Sequence, residues 1–479
     1  MKKIIYTSLF LTGGLLLTSC RKDFTETQFF QSKQAEPLKT VEEVSSFVNG
    51  TYAQMREKEY LGSYYLAYGE VRSDEVYNNM DVGRFRGESL YAMDANNGDA
   101  RDTWTTIYGV IANINNVINA PDNLSSQAEG GAAAKPSEVK ALKAQAYAIR
   151  GMAFFDLLRL YGQKYTGGTL GVPLPLQYNA LANTTRPTIE QTEAQIEADF
   201  NKAIQLFQEA ATAQRKTLAG LVNTTDKTKL SPMAVKAYQS RFYLYKGDWD
   251  KVATLSEEII SSDRYEVVPA ADLAASFVKA NANNSIFELA VGVKGSLGAE
   301  AFGYLFNSGG YATLLPTNYT LSLFDDADAR GNLFVGNSND GYFLDGKFSD
   351  LQSQANVKLV RYEEVLLNAA EAYLKKGGEV NEAKALTYYN QLRAQRGFTA
   401  AATSLTLEEL KKERLRELLG EGFRYWDLLR WGDAVPYYDR TGATEPADNR
   451  TVPNKVFAFP IPQAERNSEY SNVPQNDGY

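Results

Sequence analysis

Apolar residues recur at helical spacing over much of the chain. They predict helices within residues 41–60, 101–119, 137–161 and 188–210, because residues three and four positions apart share one face of an α-helix. The strongest periodicity lies in residues 137–161, and Gly162 follows it as a typical residue for ending a helix. The sequence therefore predicts a mainly α-helical fold.

Two further stretches each predict a pair of helices joined by a tight turn. Residues 231–262 contain the turn Gly247-Asp248, and residues 361–397 contain the turn Gly377-Gly378. In both stretches the first helix ends in a Lys-Gly turn, and small residues lie near the start of the second helix. This pattern is typical of tetratricopeptide-like helix hairpins. The hairpins are unevenly spaced, so we expect insertions between them.

The longest insertion covers residues 265–357. It is rich in Gly, Asn, Asp and aromatic residues and contains short strand-like runs such as "SIFELAVGV". Long segments without regular helix often carry function or form a small subdomain. We therefore expect a loop-rich, partly β insertion that contributes to ligand binding.

The N-terminus predicts an export signal. Lys2 and Lys3 precede an apolar segment, residues 4–17, which is too short to span a membrane as a helix. The segment runs into "LTSC", which ends at Cys20, the single cysteine of the chain, and resembles a bacterial lipobox. We predict a lipoprotein signal peptide over 1–19, a lipidated tether over 20–40 and one folded domain over 41–479. The alternative is an ordinary signal peptide with an incidental cysteine.

The amino-acid composition restricts which catalytic and metal-binding sites the chain can form. The 479 residues include no histidine and carry a net charge of −8. Imidazole bases, Ser-His-Asp catalysis and histidine zinc sites are therefore excluded. One cysteine cannot form an internal disulfide. The acidic balance gives no indication of nucleic-acid binding. The remaining possibilities are catalysis by carboxylate, lysine or tyrosine side chains, or binding without catalysis.

One carboxylate pair lies in the stretch "KERLRELLGEGFRYWDLLRWGD". Thr406 and Glu409 fit a capping box, so a helix is predicted to start there and to place Glu413 and Glu417 on one face. Their predicted spacing is near the roughly 5 Å carboxyl separation of a retaining glycosidase. Carboxylates that flank a sugar must approach it from different sides, however, and neighbouring arginines can neutralise this pair. Local charge pairing is the alternative interpretation.

A second stretch, "MDANNGDARDTW", offers oxygen ligands at Asp94, Asn96 and Asp102. Calcium prefers six to eight such oxygens. Gly98 breaks the order of an EF-hand loop, and no glutamate closes it. A structural calcium ion and a plain turn with a helix cap are both compatible with the sequence; no other metal or cofactor site is predicted.

Aromatic and polar residues in predicted loops supply the candidate ligand site. Tyrosine and phenylalanine are abundant, at 30 and 23 residues, against four tryptophans. Aromatic faces can stack on a ligand, while Asp, Asn and Arg can hydrogen-bond to it. The candidate ligand-binding residues are Asp74, Tyr77, Asn78, Arg84, Trp104, Tyr304 and Tyr311.

Several motifs together resemble one family. They are "LTSC", "AIRGMAFFDLLRLYGQ", "AEAYLKKGG", "ERLRELLGEGFRYWDLLRWGD" and "FPIPQAERNSEYSNVPQNDGY", in this order from one end of the chain to the other. They resemble the SusD/RagB family of Bacteroidetes outer-membrane lipoproteins. The motif match also identifies Cys20 as the lipidation site. The ligand residues of the family lie in variable loops and cannot be transferred.

The resemblance implies a fold and a function. Members combine tetratricopeptide-like hairpins with a loop-rich ligand face, lack catalytic residues and cover a SusC-like TonB-dependent transporter at the cell surface. The implied function is capture of a glycan, with Glu413 and Glu417 as scaffold residues. Three alternatives remain open: a peptide ligand, as in the RagB branch; a surface glycosidase that uses a carboxylate pair; and a tetratricopeptide scaffold without a pocket.

Overall fold

Helices form most of the regular structure. The computed structural model describes residues 37–79, 83–177, 184–337, 340–440 and 443–479, of which Leu38–Tyr479 form one compact unit. The predicted signal peptide, Cys20 and most of the predicted tether lie outside the described residues. Within the described parts, no helix has the length and apolar character needed to cross a bilayer.

The helices of the described residues, in chain order, are α1 (Val41–Met55), α2 (Tyr64–Val71), α3 (Arg86–Ser89), α4 (Gly98–Ile118), α5 (Pro136–Tyr161), α6 (Ile189–Ala213), α7 (Pro232–Lys246), α8 (Trp249–Ile260), α9 (Leu273–Val278), α10 (Gly292–Gly295), α11 (Asn318–Leu321), α12 (Tyr362–Lys376), α13 (Glu379–Arg393), α14 (Leu407–Leu418), α15 (Arg424–Trp431) and α16 (Gln463–Arg466).

The long helices predicted from periodicity are confirmed. The segments predicted at 101–119, 137–161 and 188–210 correspond to α4, α5 and α6, with boundaries shifted by a few residues. From Ala148 to its end, every residue of α5 is buried, so this helix lies at the centre of the core and packs against both α4 and α6.

Both predicted hairpins are present. In the first, α7 ends at Gly247, which has a positive φ of 75°, and Asp248 caps the start of α8 by accepting a hydrogen bond from the Lys251 N–H at 3.2 Å. In the second, Gly377 and Gly378, both with positive φ, separate α12 from α13. Each pair packs together, as in a tetratricopeptide-like hairpin.

The strands are short and form two-stranded antiparallel ribbons. The predicted strand-like run "SIFEL" pairs with a strand that ends just before α12. The ribbons bring distant segments together, and the pairing of the first and fifth strands is the one that places the candidate site. Their bounds are β1 (Val76–Asn78), β2 (Ser125–Ser126), β3 (Ala132–Ala133), β4 (Ser285–Leu289), β5 (Leu314–Pro316), β6 (Val335–Asn337), β7 (Gly341–Phe343), β8 (Val357–Arg361), β9 (Val435–Tyr437) and β10 (Asp448–Arg450), paired as β1–β5, β2–β3, β4–β8, β6–β7 and β9–β10.

The 265–357 insertion is loop-rich and partly β, as predicted. It also contains the short helices α9, α10 and α11 and four short strands, β4 to β7. It packs into the same compact unit as the long helices.

A buried ion cluster ties the helical half together. Glu417 on α14 is 3% exposed and accepts hydrogen bonds from the guanidinium groups of Arg330, Arg361 and Arg396 at 2.8–3.1 Å. Burial opposes ionisation of Glu417, but these three cations outweigh it and hold the pKa of the carboxyl well below its usual range. The three arginines belong to the insertion, to β8 and to the segment after α13, so one carboxylate links four parts of the chain.

We expect the Glu417→Gln variant to lose about 3–5 kcal/mol of unfolding free energy, because it leaves buried guanidinium charge without its partner. Chemical denaturation followed by circular dichroism measures this loss. Lys412→Gln, at an exposed position of the same helix, is the control and should change stability little. Equal stability of the two variants would show that the ion cluster does not hold the fold.

Candidate ligand-binding site

The structure brings three of the seven candidate residues together. Arg84, Tyr304 and Tyr311 lie in one half-buried cluster, which also contains Lys58, Tyr64 and Glu300. We call these six residues the Arg84 cluster. Their side chains are partly open to solvent and combine aromatic rings with charged groups, which is the composition expected of a ligand site.

Arg84 is held on two sides. Its guanidinium group donates to both carboxylate oxygens of Glu300, at 2.9 and 2.7 Å, and lies 4.2 Å from the ring centroid of Tyr311. The ring of Tyr304 meets that of Tyr311 edge to face, with centroids 5.3 Å apart. A bidentate ion pair and a cation–π contact fix the guanidinium plane, so its remaining N–H groups are presented in a defined direction.

Lys58 and Tyr64 form the other side of the cluster. The Lys58 ammonium lies 3.8 Å from a Glu300 oxygen and 5.8 Å from the ring centroid of Tyr64. Burial raises the pKa of the Tyr64 hydroxyl to about 12, and the carboxylates of Asp99 and Glu300 add to that shift. Tyr64 is therefore a neutral hydrogen-bonding group at physiological pH.

The β1–β5 ribbon positions the cluster. Tyr77 pairs with Leu315, and the Asn79 N–H donates to the Thr313 carbonyl at 2.7 Å, which places the chain after β1 beside the chain before β5. The Asn78 side-chain amide donates to the Arg84 carbonyl at 2.7 Å and so holds Arg84 close to the end of β1. Residues more than 200 positions apart thus meet at the surface.

The residue that follows Arg84 has a strained backbone. Phe85 adopts a φ of 53°, a left-handed conformation that is uncommon for a residue other than glycine. Its ring is buried edge-on against the rings of Tyr64 and Tyr68, with centroids 5.1 and 6.0 Å apart. Packing therefore holds the strained residue in place, directly beside Arg84, and such strain is concentrated at functional sites.

The other four candidate residues are buried, with at most 5% of their surface exposed. Asp74 forms a bidentate ion pair with Arg424 at 2.6 and 2.8 Å. Tyr77 belongs to a small apolar cluster, and the side chain of Asn78 donates a hydrogen bond to the Arg84 carbonyl. Trp104 packs edge-on against Tyr161, with centroids 4.9 Å apart. These side chains are therefore not available to a ligand at the surface.

Three members of the cluster, Lys58, Tyr64 and Glu300, were not among the seven candidate residues. Lys58 follows the end of α1, and Glu300 lies within the 265–357 insertion without a motif around it. Tyr64 is one of many tyrosines in predicted loops, and the sequence gives no reason to prefer it. Only the tertiary contacts identify these three residues.

The carboxylate pair Glu413 and Glu417 has no access to a ligand. Glu413 is completely buried and accepts hydrogen bonds from Arg330 and Arg416 at 2.7–2.9 Å. The structure therefore supports the interpretation of charge pairing within the scaffold and contradicts the hypothesis that this pair flanks a sugar.

The candidate calcium loop is a turn and a helix cap. Asp94 accepts a hydrogen bond from the Asn96 N–H at 2.8 Å, the side chain of Asn97 caps α4, and Asp102 pairs with Arg101. In the part of the chain that the structure describes, no group of three or more acidic, histidine or cysteine side chains is arranged to hold a metal ion.

Comparisons with known proteins point to one family. A family model described as "SusD family" matches residues 327–479, and a model described as "Starch-binding associating with outer membrane" matches residues 28–244. SusD-like protein P2 of Formosa agariphila is 23% identical, and the match covers 100% of both chains. The starch-binding protein SusD of Bacteroides thetaiotaomicron is 31% identical over 127 residues, which cover 26% of this chain and 22% of that protein.

The fold agrees with these matches. A crystal structure of a SusD superfamily protein from Bacteroides thetaiotaomicron superimposes with a TM-score of 0.78 and 26% sequence identity, covering 91% of this chain and 99% of that chain.

A buried carboxyl group next to the site predicts a pH effect. Burial, with the neighbouring Asp99 carboxylate, raises the pKa of Glu88 from 4.5 to about 7. Between these two values the folded chain holds a proton that the unfolded chain releases. The free energy of unfolding should therefore fall as pH rises through this window, by up to about 1.4 kcal/mol per pH unit from this group.

The Glu88→Gln variant should lack this part of the pH dependence, because glutamine does not titrate. Denaturant titrations from acidic to neutral pH measure the difference between wild type and variant. Glu382→Gln, at an exposed position of α13, is the matched control and should run parallel to wild type. A Glu88→Gln curve that also runs parallel to wild type would contradict the raised pKa.

Proposed function

Because the chain belongs to the SusD/RagB family, we propose that it is a cell-surface lipoprotein that captures a glycan and delivers it to a SusC-like TonB-dependent transporter. The observation that carries the glycan part of this proposal is the Arg84 cluster. It combines half-exposed tyrosine rings with an oriented guanidinium–carboxylate pair.

This combination suits an oligosaccharide. A sugar ring has an apolar face of C–H groups, which packs on an aromatic ring, and hydroxyls at its edge, which need donors and acceptors. The rings of Tyr64, Tyr304 and Tyr311 offer such faces. Arg84 offers donors and Glu300 offers acceptors beside them. The description of one matching family as starch-binding supports the same ligand class.

The chemistry of the cluster favours recognition over catalysis. The hydrogen bonds from Arg84 lower the pKa of Glu300, so this carboxyl stays ionised and is a poor proton donor at neutral pH. We therefore propose that the bound ligand leaves the site unchanged.

Anchoring completes the proposal. The lipobox-like "LTSC" would place acyl chains on Cys20, and two or more chains hold a protein stably on a membrane. The family description of outer-membrane association supports this location. We propose that the anchored chain faces the cell exterior, where it meets the ligand before the transporter does.

Tyr311→Ala and Arg84→Met should each weaken binding of the cognate oligosaccharide by about five- to a hundredfold, since each removes one contact worth about 1–3 kcal/mol. Isothermal titration calorimetry of the purified full-length chain against a panel of neutral and acidic oligosaccharides measures this change. The matched control is Tyr470→Ala, which removes an exposed tyrosine outside the cluster and should leave affinity unchanged.

Peptides form a second arm of the same panel. Binding of a peptide that depends on Tyr311, with no oligosaccharide bound, would replace the glycan by a peptide as the ligand. An oligosaccharide that binds wild type and both cluster variants equally would show that the Arg84 cluster is not the site. Shortened products after prolonged incubation would overturn the assignment as a binding protein.

Cys20→Ala should abolish incorporation of radiolabelled palmitate and release the chain from the outer-membrane fraction. Cys20 is the only cysteine, so no other thiol can accept the lipid. Ser19→Ala keeps a small residue before the cysteine and serves as the control, which should still be labelled. A Cys20→Ala chain that remains labelled and membrane-bound would contradict lipid anchoring at this position.

A further inference from the structure

A cavity of about 280 Å³ lies on the helical side of the molecule, between α5, the end of α6 and the segment that leads into α7. None of its lining residues belongs to the Arg84 cluster. Part of its lining is apolar and includes Ala141, Phe207, Leu221, Val222, Leu230 and Ile286.

Positive charge predominates among the other lining residues. Lys216, Lys227 and Lys229 line the cavity together with a single acidic residue, Asp226. Asp226 is exposed and accepts hydrogen bonds from the N–H and the hydroxyl of Thr228. The cavity lining therefore combines apolar side chains with more cationic than anionic residues.

Lys227 is a buried cation without an ion-pair partner among the described residues. It is 4% exposed, and its ammonium group donates to two neutral carbonyls, those of Ala282 at 2.7 Å and Asn283 at 3.3 Å. Burial lowers the pKa of Lys227 to about 8, and the more distant carboxylates of Glu288 and Glu266 offset this only in part. A buried charge with such weak compensation is costly.

Lys229 repeats this arrangement. Its ammonium group donates to the side-chain oxygen of Asn49, a neutral group, and lies 4.6 Å from the ring centroid of Tyr52. Burial lowers its pKa as well, and the charge of Asp226 opposes this shift. Two lysines with partly desolvated ammonium groups are thus among the residues that line one cavity.

We propose that this cavity is a second binding site, and that it takes a small organic anion whose carboxylate is carried on an apolar ring. The carboxylate would supply the negative charge that Lys227 and Lys229 lack, and the ring would cover the apolar walls. This site is independent of the Arg84 cluster and of the proposed glycan ligand.

The size of the cavity fits this class of ligand. An apolar cavity of about 150 Å³ in another protein admits benzene, so 280 Å³ has room for a ring with an ionised substituent. The apolar walls disfavour a ligand that is polar on all sides, since its hydroxyls would lose their hydration without gaining partners. An aromatic carboxylate therefore fits better than a uronate sugar or inorganic phosphate.

Benzoate and benzamide test the proposal, because they have the same shape and differ in charge. Calorimetric titration of the full-length chain should show benzoate binding at least about tenfold more tightly than benzamide, glucuronate or phosphate. Lys229→Gln should weaken benzoate binding by about tenfold or more. Lys294→Gln, which removes an exposed lysine in α10, should not.

A measurement on the wild-type chain removes any dependence on variant folding. Reductive ¹³C-methylation makes lysines visible by NMR, and benzoate should raise the pKa of a low-titrating dimethyl-lysine signal, because an anion stabilises the ammonium form. No binding of benzoate at millimolar concentration, equal binding of benzamide, or lysine titrations unchanged by benzoate would each overturn the proposal. Preferential binding of glucuronate or phosphate would contradict the apolar ring.

Discussion

Glu417 accepts hydrogen bonds from three guanidinium groups in the interior of the protein, and the arrangement of the helical half depends on them. An isolated carboxylate at this depth would be strongly disfavoured, as would each unpaired arginine. The charges are tolerated only together, so the insertion, β8 and the segment after α13 are constrained to meet at α14. Hydrophobic burial alone permits many packings, and paired buried charges select among them.

The stretch that contains α14 also connects the scaffold to the Arg84 cluster. Just after α14, the N–H groups of Gly420 and Gly422 donate to the buried carboxylate of Glu70 on α2, and Arg424 pairs with Asp74. Gly422 has a positive φ, and an added Cβ there would lie 3.0 Å from the backbone of Leu66. The segment that is fixed in this way starts at Tyr64 and runs directly into β1. The buried pairs therefore help to position residues of the Arg84 cluster without belonging to it.

Local and distant interactions explain what could be predicted from the sequence. The helices and the turns at Gly247 and Gly377 follow from periodicity and capping, which operate within a few residues, and they were predicted correctly. The cluster depends on the β1–β5 pairing and on the contact between Arg84 and Glu300, which are 216 positions apart. No local pattern encodes such contacts. Sequence reasoning selected Arg84, Tyr304 and Tyr311 by residue type, but it could not show that these three lie together whereas Asp74 and Trp104 are buried.

Carboxylates paired with arginine occur in two settings in this chain, the core and the surface. Glu413 and Glu417 are surrounded by arginines in the core, where their pKa values are lowered and the side chains are almost fully shielded from solvent. Glu300 is likewise held ionised by an arginine, but it lies at the surface among tyrosine rings. A carboxylate that an adjacent guanidinium group holds in place and keeps ionised at neutral pH can accept hydrogen bonds without exchanging protons. The arrangement that makes Glu417 a structural anchor thus makes Glu300, in an open setting, an acceptor suited to recognition.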